Sequence, residues 1–339
     1  MSQQRTITRR SLLRSIGYGG AAALTFALWP HLPRQTLPDN PVSASRLLMG
    51  GVTTVAVVST DVEGARAAIA AAFETMQRRV RQFNRYDPTS PLAALNSQGH
   101  LRAASGELVA LLRQAHAISL ASHGAFDVTI LPLVNLYRHA GSLPARDAVR
   151  TALQGVGYQR LFIDGDGVAL EGRGMGVTLD GIAKGAVVDA GLATLRQHGF
   201  DNCLVEAGGD LAAHGSGPAG RPWRVGLRPP RAEGAAILPR FMIGDRAVAT
   251  SGDYLNAFSA DFSIHHIIDP RRGVSPAELA SVTVFAPSAA HADALATTLM
   301  VTGLRNGLTL LERYPECDAL FIDKHMQTVT TPGLTGRQI

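Results

Sequence analysis

The sequence contains only two cysteines among 339 residues, Cys203 and Cys317. Two cysteines cannot build a disulfide framework, and no Cys/His spacing resembles that of a structural zinc site. One disulfide and two separate buried thiols are both compatible with the sequence. The cysteine content therefore excludes a disulfide-stabilised scaffold and a zinc-ribbon protein.

The sequence also lacks any run of lysine and arginine interleaved with aromatic residues. Its net charge is +5, from 32 basic and 27 acidic residues. Five of the arginines but only one aspartate lie in residues 1–44, so the remaining charges nearly balance. Because nucleic-acid binding needs a concentrated basic surface, no nucleic-acid partner is expected.

The excess positive charge lies in a segment typical of a bacterial export signal. Adjacent arginines, Arg9 and Arg10, precede an uncharged stretch over residues 15–29 and a small-residue exit at residues 42–44. This pattern indicates the twin-arginine route, and the stretch is shorter than the roughly 20 residues that span a bilayer. An uncleaved inner-membrane anchor is the alternative. We predict an export signal and Pro-rich tether over 1–44, a folded domain over 45–339, and a periplasmic location.

No dinucleotide-binding fingerprint is present, because the glycines of 172–176 lack the required spacing. Helical and strand patterns are mixed without regular βαβ alternation, which favours an α+β fold over a doubly wound sheet. The main predicted helices cover residues 65–82, 107–122, about 181–198 and the segment around 293; the main predicted strands cover 52–58, 160–164, 203–206, 223–227, 246–250, 265–269 and 281–286.

One predicted helix carries a carboxylate and a hydroxyl one turn apart, at Asp293 and Thr297. The i, i+4 spacing directs both oxygens the same way, and paired hard oxygens suit Mg²⁺ or Ca²⁺. In isolation such a pair more often forms a local hydrogen bond on a solvated face.

Other segments combine glycines, charges and aromatic residues, and each also has a structural explanation. Lys184 at a helix start could bind an anion or belong to a simple cap. The turn Gly208-Gly209-Asp210 could admit a ligand to the backbone or merely reverse the chain. His266 could be a core histidine, and Tyr86 and Phe126 could be core aromatics.

Taken together, in this order and at these separations, the segments resemble the ApbE flavin transferases from Met49 to about Leu320. The resemblance implies an α+β fold with mixed or antiparallel sheets, flanking helices and a cleft between two parts that holds FAD. It implies Mg²⁺-dependent transfer of FMN from FAD to a Thr or Ser hydroxyl, with release of AMP. The implied partner is an acceptor flavoprotein domain of a membrane-associated redox system, contacted transiently.

The resemblance also implies roles for individual positions. The carbonyl of Gly181, with Asp293 and Thr297, would hold the metal, and Lys184 would contact FAD. Our own prediction for the catalytic residues is His266, Lys184 and Asp180. The implied flavin or nucleotide contacts are Met49, Tyr86, Ala125, Phe126, Asp127, Thr178, Lys184, Gly208, Gly209 and Ile267.

The chemistry requires a group that removes the proton of the acceptor hydroxyl. We predict His266 for this role, with Asp180, Asp210 and Asp269 as alternatives. Lys184 and the metal would stabilise the charge that develops on the pyrophosphate oxygens.

The sequence departs from the family pattern at three points. Thr178-Leu179-Asp180 replaces Asp-Leu-Gly, Ala186 replaces an aromatic residue, and Tyr137 replaces tryptophan. Asp180 could therefore serve the metal itself.

Three other functions are compatible with parts of the sequence. The same site could hydrolyse FAD to FMN and AMP, and a protein without turnover could bind or donate flavin. The retained pair Asp293 and Thr297 argues against simple binding. A zinc hydrolase using His265, His266 and His291 lacks the helical His pair of that chemistry.

Overall fold

The computed structural model describes residues 37–231 and 239–338. Its helices are α1 (Val62–Phe83), α2 (Pro91–Gln98), α3 (Gly106–Ala121), α4 (Leu131–Ala140), α5 (Arg146–Leu153), α6 (Ala183–Gln197) and α7 (Ala289–Leu311). Its strands are β1 (Val42–Leu48), β2 (Gly51–Val57), β3 (His100–Leu101), β4 (Leu161–Asp164), β5 (Gly167–Leu170), β6 (Cys203–Ala207), β7 (Asp210–His214), β8 (Trp223–Gly226), β9 (Arg240–Ile243), β10 (Arg246–Gly252), β11 (Leu279–Ala286), β12 (Asp318–Asp323) and β13 (Thr328–Thr330).

Eight strands form the main sheet, in the order β1-β2-β6-β7-β10-β11-β12-β13. Every pair of neighbours in it is antiparallel. A three-stranded sheet, β3-β5-β4, and the β8–β9 hairpin complete the strands of the described residues. The antiparallel sheets with separate helices confirm the predicted α+β class.

The main sheet is covered on both faces. Alternating side chains of β2 belong to different clusters: Val55 and Val57 pack with α1 and α6, whereas Ala56 packs with Trp223 and Phe241 of the β8–β9 hairpin. Because side chains alternate across a strand, this division places helices on one face and the small hairpin on the other. All eight residues of β11 are consequently buried.

Most predicted elements are confirmed within a few residues, but the strand predicted over residues 265–269 is wrong. That segment makes only isolated bridges, one of which joins Asp269 and Val274. The N–H of His265 donates to the Ser275 hydroxyl, and Asp269 accepts from the N–H of Gly273 in a tight turn. Hydrogen bonds within the turn and to the Ser275 side chain thus take the place of the interstrand backbone hydrogen bonds of a β-strand. The sequence pattern also did not predict α2, α4, β1, β3, β7 and β9.

The segment predicted as signal and tether over residues 1–44 overlaps β1, which begins at Val42 and pairs with β2 along its whole length. The export signal itself lies outside the described residues. Within 37–231 and 239–338, no helix has the length and apolar character to cross a membrane. Cys203 and Cys317 are free, buried thiols in separate core clusters.

Candidate active site

Helix α7 brings Asp293 into the interior, where its side chain is 5% exposed. Two side chains, those of Ser288 and Asp189, accept hydrogen bonds from the first turn of α7. Ser288 accepts from the N–H of His291, and the Asp189 carboxylate of α6 accepts from the N–H groups of Ala289 and Ala290 at 2.7 and 2.9 Å. These contacts satisfy donors that a helix start leaves free. Sequence analysis missed this role of Asp189, because its partners lie about 100 residues away in the chain.

Glycine at position 185 lets α6 approach α7 closely. A Cβ there would lie 2.1 Å from the carbonyl oxygen of Ala289, which no other residue could tolerate without a backbone shift. The Gly185 N–H donates to Asp293 Oδ2 at 3.1 Å. The N-terminus of α6, the positive end of the helix dipole, therefore faces the Asp293 carboxylate.

The loop before α6 places Gly181 against Thr297. Asn96 of α2 holds the Val177 backbone from both sides, donating to its carbonyl at 2.9 Å and accepting from its N–H at 2.6 Å. A Cβ on Gly181 would lie 3.4 Å from Thr297 Oγ1 and 3.3 Å from Phe126 Cε2. The structure thus brings together two of the three predicted metal donors, with Phe126 beside them.

The third donor, Asp293, lies one helical turn from Thr297, and Ser251 Oγ is 3.0 Å from Thr297 Oγ1. Ser251 adds a hydroxyl that sequence analysis did not single out. Among the described residues, no three His, Cys, Asp or Glu side chains form a metal-holding group. The candidate site offers one carboxylate with hydroxyl and carbonyl oxygens, and Mg²⁺ usually completes such a set with water and phosphate oxygens.

Unbalanced buried charge supports a cation at this site. Lys184 Nζ forms an ion pair with Asp210 Oδ2 at 2.9 Å. Burial, and then the Asp210 carboxylate, raise the pKa of Asp293 to about 8. Burial would lower the pKa of Lys184, but Asp210 and Asp293 outweigh it and the pKa is raised. One ammonium is therefore too little positive charge to keep both buried carboxyl groups ionised, and a divalent cation would supply what is missing. The residues present therefore fit Mg²⁺.

Asp180 is the exposed acid of this region. Its side chain is 59% exposed, and Oδ2 accepts from Nε and Nη2 of Arg85 at 3.3 and 2.9 Å. The Arg85 and Arg138 guanidinium carbons lie 4.2 and 5.1 Å from the centroid of the Tyr86 ring. Tyr86 is 60% exposed, so its predicted ligand contact is sterically available.

His266 is a partly buried histidine whose Nδ1 atom is buried. Burial, and then His265, lower the pKa of His266 to about 4, so the imidazole is neutral near pH 7. Within the described residues, buried Nδ1 of His266 has no hydrogen-bond partner. A neutral ring with an unpaired nitrogen suits a proton acceptor. His291 packs edge-on against Tyr314 instead, so the histidines do not form a zinc site.

The other acids proposed as bases are engaged in ion pairs. Asp269 accepts from Arg271 through both oxygens at 2.9 Å, and Asp210 is paired with Lys184. Both carboxylates are nearly inaccessible. His266 and Asp180 remain as candidate bases.

Asp127 positions a loop through contacts within the protein. Oδ1 accepts from the N–H and hydroxyl of Thr129 at 2.8 and 2.7 Å, and Oδ2 accepts from the Tyr158 N–H at 2.8 Å. Burial raises the pKa of Asp127. Both oxygens accept hydrogen bonds, so this carboxylate fixes the loop carrying Ala125 and Phe126, and its contact with the flavin or nucleotide stays a prediction.

The remaining predicted contacts lie in turns and buried loops. Met49 and Gly50, both with positive φ, form the β1–β2 turn. Gly208 and Gly209, at φ 61° and 104°, form the β6–β7 turn that leads into Asp210, and a Cβ on either would meet nothing within 4 Å. Thr178 and Ile267 are each 5% exposed. Their contacts with FAD stay predictions.

Comparison with known proteins identifies the family. The ApbE family matches residues 49–321. An FAD:protein FMN transferase of Treponema pallidum (strain Nichols) is 31% identical over 318 residues, which cover 87% of this chain and 88% of the relative. Another FAD:protein FMN transferase, from Klebsiella pneumoniae (strain 342), is 30% identical and covers 86% of this chain and 93% of the relative. The chain belongs to the ApbE family.

Solved ApbE structures share the fold. The ApbE protein of Thermotoga maritima aligns with a TM-score of 0.80 and 26% identity, covering 88% of this chain and 100% of that one. The Pseudomonas stutzeri flavinyl transferase ApbE, in its apo form, aligns with a TM-score of 0.76 and 30% identity, covering 89% and 98%.

The departures from the ApbE pattern have structural counterparts. The Thr178 hydroxyl accepts from the Asp180 N–H at 3.2 Å, so this pair forms a local turn. Tyr137 is fully buried and donates to the Gly273 carbonyl at 2.8 Å, tying α4 to the turn after Asp269. Two cavities of about 300 and 280 Å³ open beside α1 and beside the C-terminal end of α7, and no candidate site residue lines either.

Proposed function

We propose that this chain transfers FMN from FAD to a Thr or Ser hydroxyl of a protein acceptor, using Mg²⁺ held by the Gly181 carbonyl, Asp293 and Thr297. The convergence of these donors beside Lys184 carries the proposal. The names of the relatives supply the substrate and the reaction.

The reaction breaks a phosphoanhydride bond of FAD and forms a phosphoester bond to the acceptor. The acceptor oxygen forms a bond to the FMN phosphorus of FAD, and the bond from that phosphorus to the bridging oxygen breaks. AMP leaves with the bridging oxygen, and the hydroxyl proton passes to a base. Mg²⁺, when bound, supplies positive charge to the pyrophosphate.

Residues of the chain would perform the other tasks. Lys184, fixed by Asp210, directs an ammonium toward the anionic substrate. The neutral His266 ring is the first candidate to take the hydroxyl proton. Asp180 is the second candidate for that proton, because it is exposed and Arg85 holds it in place.

The decisive experiment is an intact-mass measurement of an acceptor domain incubated with the protein, FAD and Mg²⁺, with EDTA as control. A Mg²⁺-dependent mass gain of one FMN phosphoester supports the transferase. Free FMN and AMP with unmodified acceptor would instead support an FAD hydrolase, and intact bound FAD a flavin carrier.

Replacement of the buried carboxylate tests the metal assignment. Asp293→Asn keeps an oxygen for the Gly185 N–H but removes the charge. We expect turnover to fall by at least about 100-fold with the fold retained, because charge stabilisation of this kind contributes several kcal/mol. Mn²⁺ binding, measured by electron paramagnetic resonance, should weaken in parallel. Undiminished turnover and Mn²⁺ binding would refute the assignment.

We also propose export by the twin-arginine route and action on a membrane-associated redox flavoprotein in the periplasm. The arginine pair and uncharged segment of the N-terminus support the route. The acceptor is a protein, so contact with it is transient and renewed at each turnover.

A further inference from the structure

A buried cluster of charges lies behind the loop that carries His266. Asp253 follows the last residue of β10 and is 0% exposed. Arg231 donates to its two oxygens at 2.8 Å each, and Lys324 donates to Oδ2 as well. We call Asp253, Arg231, Lys324 and Phe262 the Asp253 hub.

The Asp253 hub holds the loop of residues 254–266 through contacts with Phe262. The Arg231 guanidinium carbon lies 4.1 Å from the centroid of the Phe262 ring, and Lys324 donates to the Phe262 carbonyl at 3.1 Å. Within the loop, the His266 N–H donates to the Asn256 carbonyl at 3.0 Å. The loop is thus held at Asp253, at Phe262 and at His266, while Leu255 between them is 48% exposed.

The hub also adjoins the candidate site. Ser251, two residues before Asp253, contacts Thr297, and the charges of Asp253 and Lys184 both influence the pKa of Tyr254, which burial raises. Lys324 lies beyond the residues that match the ApbE family, 49–321, so this arrangement is not contained in the family match.

A buried carboxylate with two cations is a poor device for stability alone, because desolvation offsets most of the attraction. Its better-supported use is to specify one conformation. The 254–266 loop is largely exposed, and it ends at the candidate base. A hydroxyl on a protein acceptor must approach from an exposed side.

We propose that the Asp253 hub positions the 254–266 loop as the acceptor-facing wall of the site and thereby excludes water. This inference rests on the proposed function. In the wild type, the acceptor oxygen bonds to the FMN phosphorus and AMP leaves. When the loop is loosened, a water oxygen forms that bond instead, its proton passes to the base, and FMN is released free.

The test measures the ratio of free FMN to acceptor-bound FMN, with FAD affinity from flavin fluorescence. The variants are Lys324→Met and Arg231→Met, which remove partly exposed cations, and Lys324→Arg, which keeps the charge. The matched control is Arg246→Met. Arg246 begins β10, at the opposite end of the strand from Asp253, and pairs with Asp318 at 2.9 Å with both side chains 14% exposed.

We expect Lys324→Met and Arg231→Met to raise the ratio of free to acceptor-bound FMN at least about fivefold. FAD affinity should change less than about twofold, because binding of FAD in the ground state is a separate quantity from the rate of attack on its phosphorus. Lys324→Arg should show the wild-type ratio, because it keeps the charge. Arg246→Met should lower thermal stability but leave the ratio of free to acceptor-bound FMN unchanged. An unchanged ratio in both hub variants, or an equal change in Arg246→Met, would overturn the proposal. A wild type that modifies no acceptor would instead refute the proposed function, and this inference with it.

Discussion

At the scale of single residues, His266 combines burial with proximity to charge. The charges of Lys184 and Asp180 both act on it, in opposite directions, and burial keeps it neutral. A neutral imidazole beside an anionic substrate accepts a proton without first losing one. The same burial makes the residue a source of pH-dependent stability.

The stability of the protein should therefore fall in mild acid because of His266. Its pKa is about 4 in the fold, against roughly 6.5 in the unfolded chain. The unfolded state binds more protons between these values, so the contribution is present above about pH 6.5 and is lost as pH falls toward 4. Between about pH 7.5 and about pH 5, the wild type should lose about 2 kcal/mol more than His266→Gln. Urea unfolding at both pH values measures this, and parallel profiles would contradict it.

Residues with their own chemistry were predictable from the sequence, whereas residues that position them were not. Asp293, Thr297 and Lys184 stand in motifs whose spacing indicates a role. Asn96 and Asp189 act through backbone N–H groups 81 and 100 residues distant. Nothing local in the sequence distinguishes such a contact from a solvated polar side chain.

At the scale of elements, α7 depends on its neighbour α6 for its position. Asp189 accepts two N–H groups of the first turn of α7, and Gly185 allows the two helices to touch. A displacement of the first turn of α7 would also move Asp293, because Asp293 lies in the next turn of the same helix. The cap therefore connects helix stability with the metal site.

Asp189→Asn should both destabilise the protein and weaken its response to Mg²⁺. The amide offers one acceptor where the carboxylate offers two, at a cost of about 1–2 kcal/mol. Asp61→Asn is the matched control, because Asp61 caps α1 by accepting from the Gly64 N–H at 2.9 Å. Both variants should lower the melting temperature, but only Asp189→Asn should raise the Mg²⁺ concentration for half-maximal turnover. An equal Mg²⁺ response in the two would show that the cap does not position Asp293.

Long periodic elements were predictable, and short or irregular ones were not. Helix α1 has a clear apolar stripe that includes Ile69, Phe73 and Met76. The segment 265–269 has the apolar and β-branched composition of a strand, yet its donors and acceptors are satisfied by Ser275 and by the turn at Asp269. Tertiary contacts of this kind override local propensity.

At the scale of the whole molecule, residues 37–50, which precede β2, belong to the fold. Leu37 packs against the cluster beneath the β8–β9 hairpin, and the Pro38 carbonyl accepts from the Ala219 N–H at 3.0 Å. Strand β1 then forms one edge of the eight-stranded sheet. The small-residue exit of the predicted signal therefore lies inside a paired strand.

The mature protein that the proposed export would produce should consequently begin before Leu37. Val42, Ser43 and Ala44 pair with Val57, Ala56 and Val55, so cleavage after Ala44 would remove nearly half of β1 and uncover the edge of β2. Proteolysis concentrates in unpaired chain, which places the cut upstream. The intact mass of periplasmic protein should therefore include residues 37–44.

Replacing Arg9 and Arg10 with lysine should abolish export, because the twin-arginine route reads that pair. A mature protein that begins at Ser45 would mean that processing precedes the pairing of β1, and export of the lysine variant would exclude the twin-arginine route.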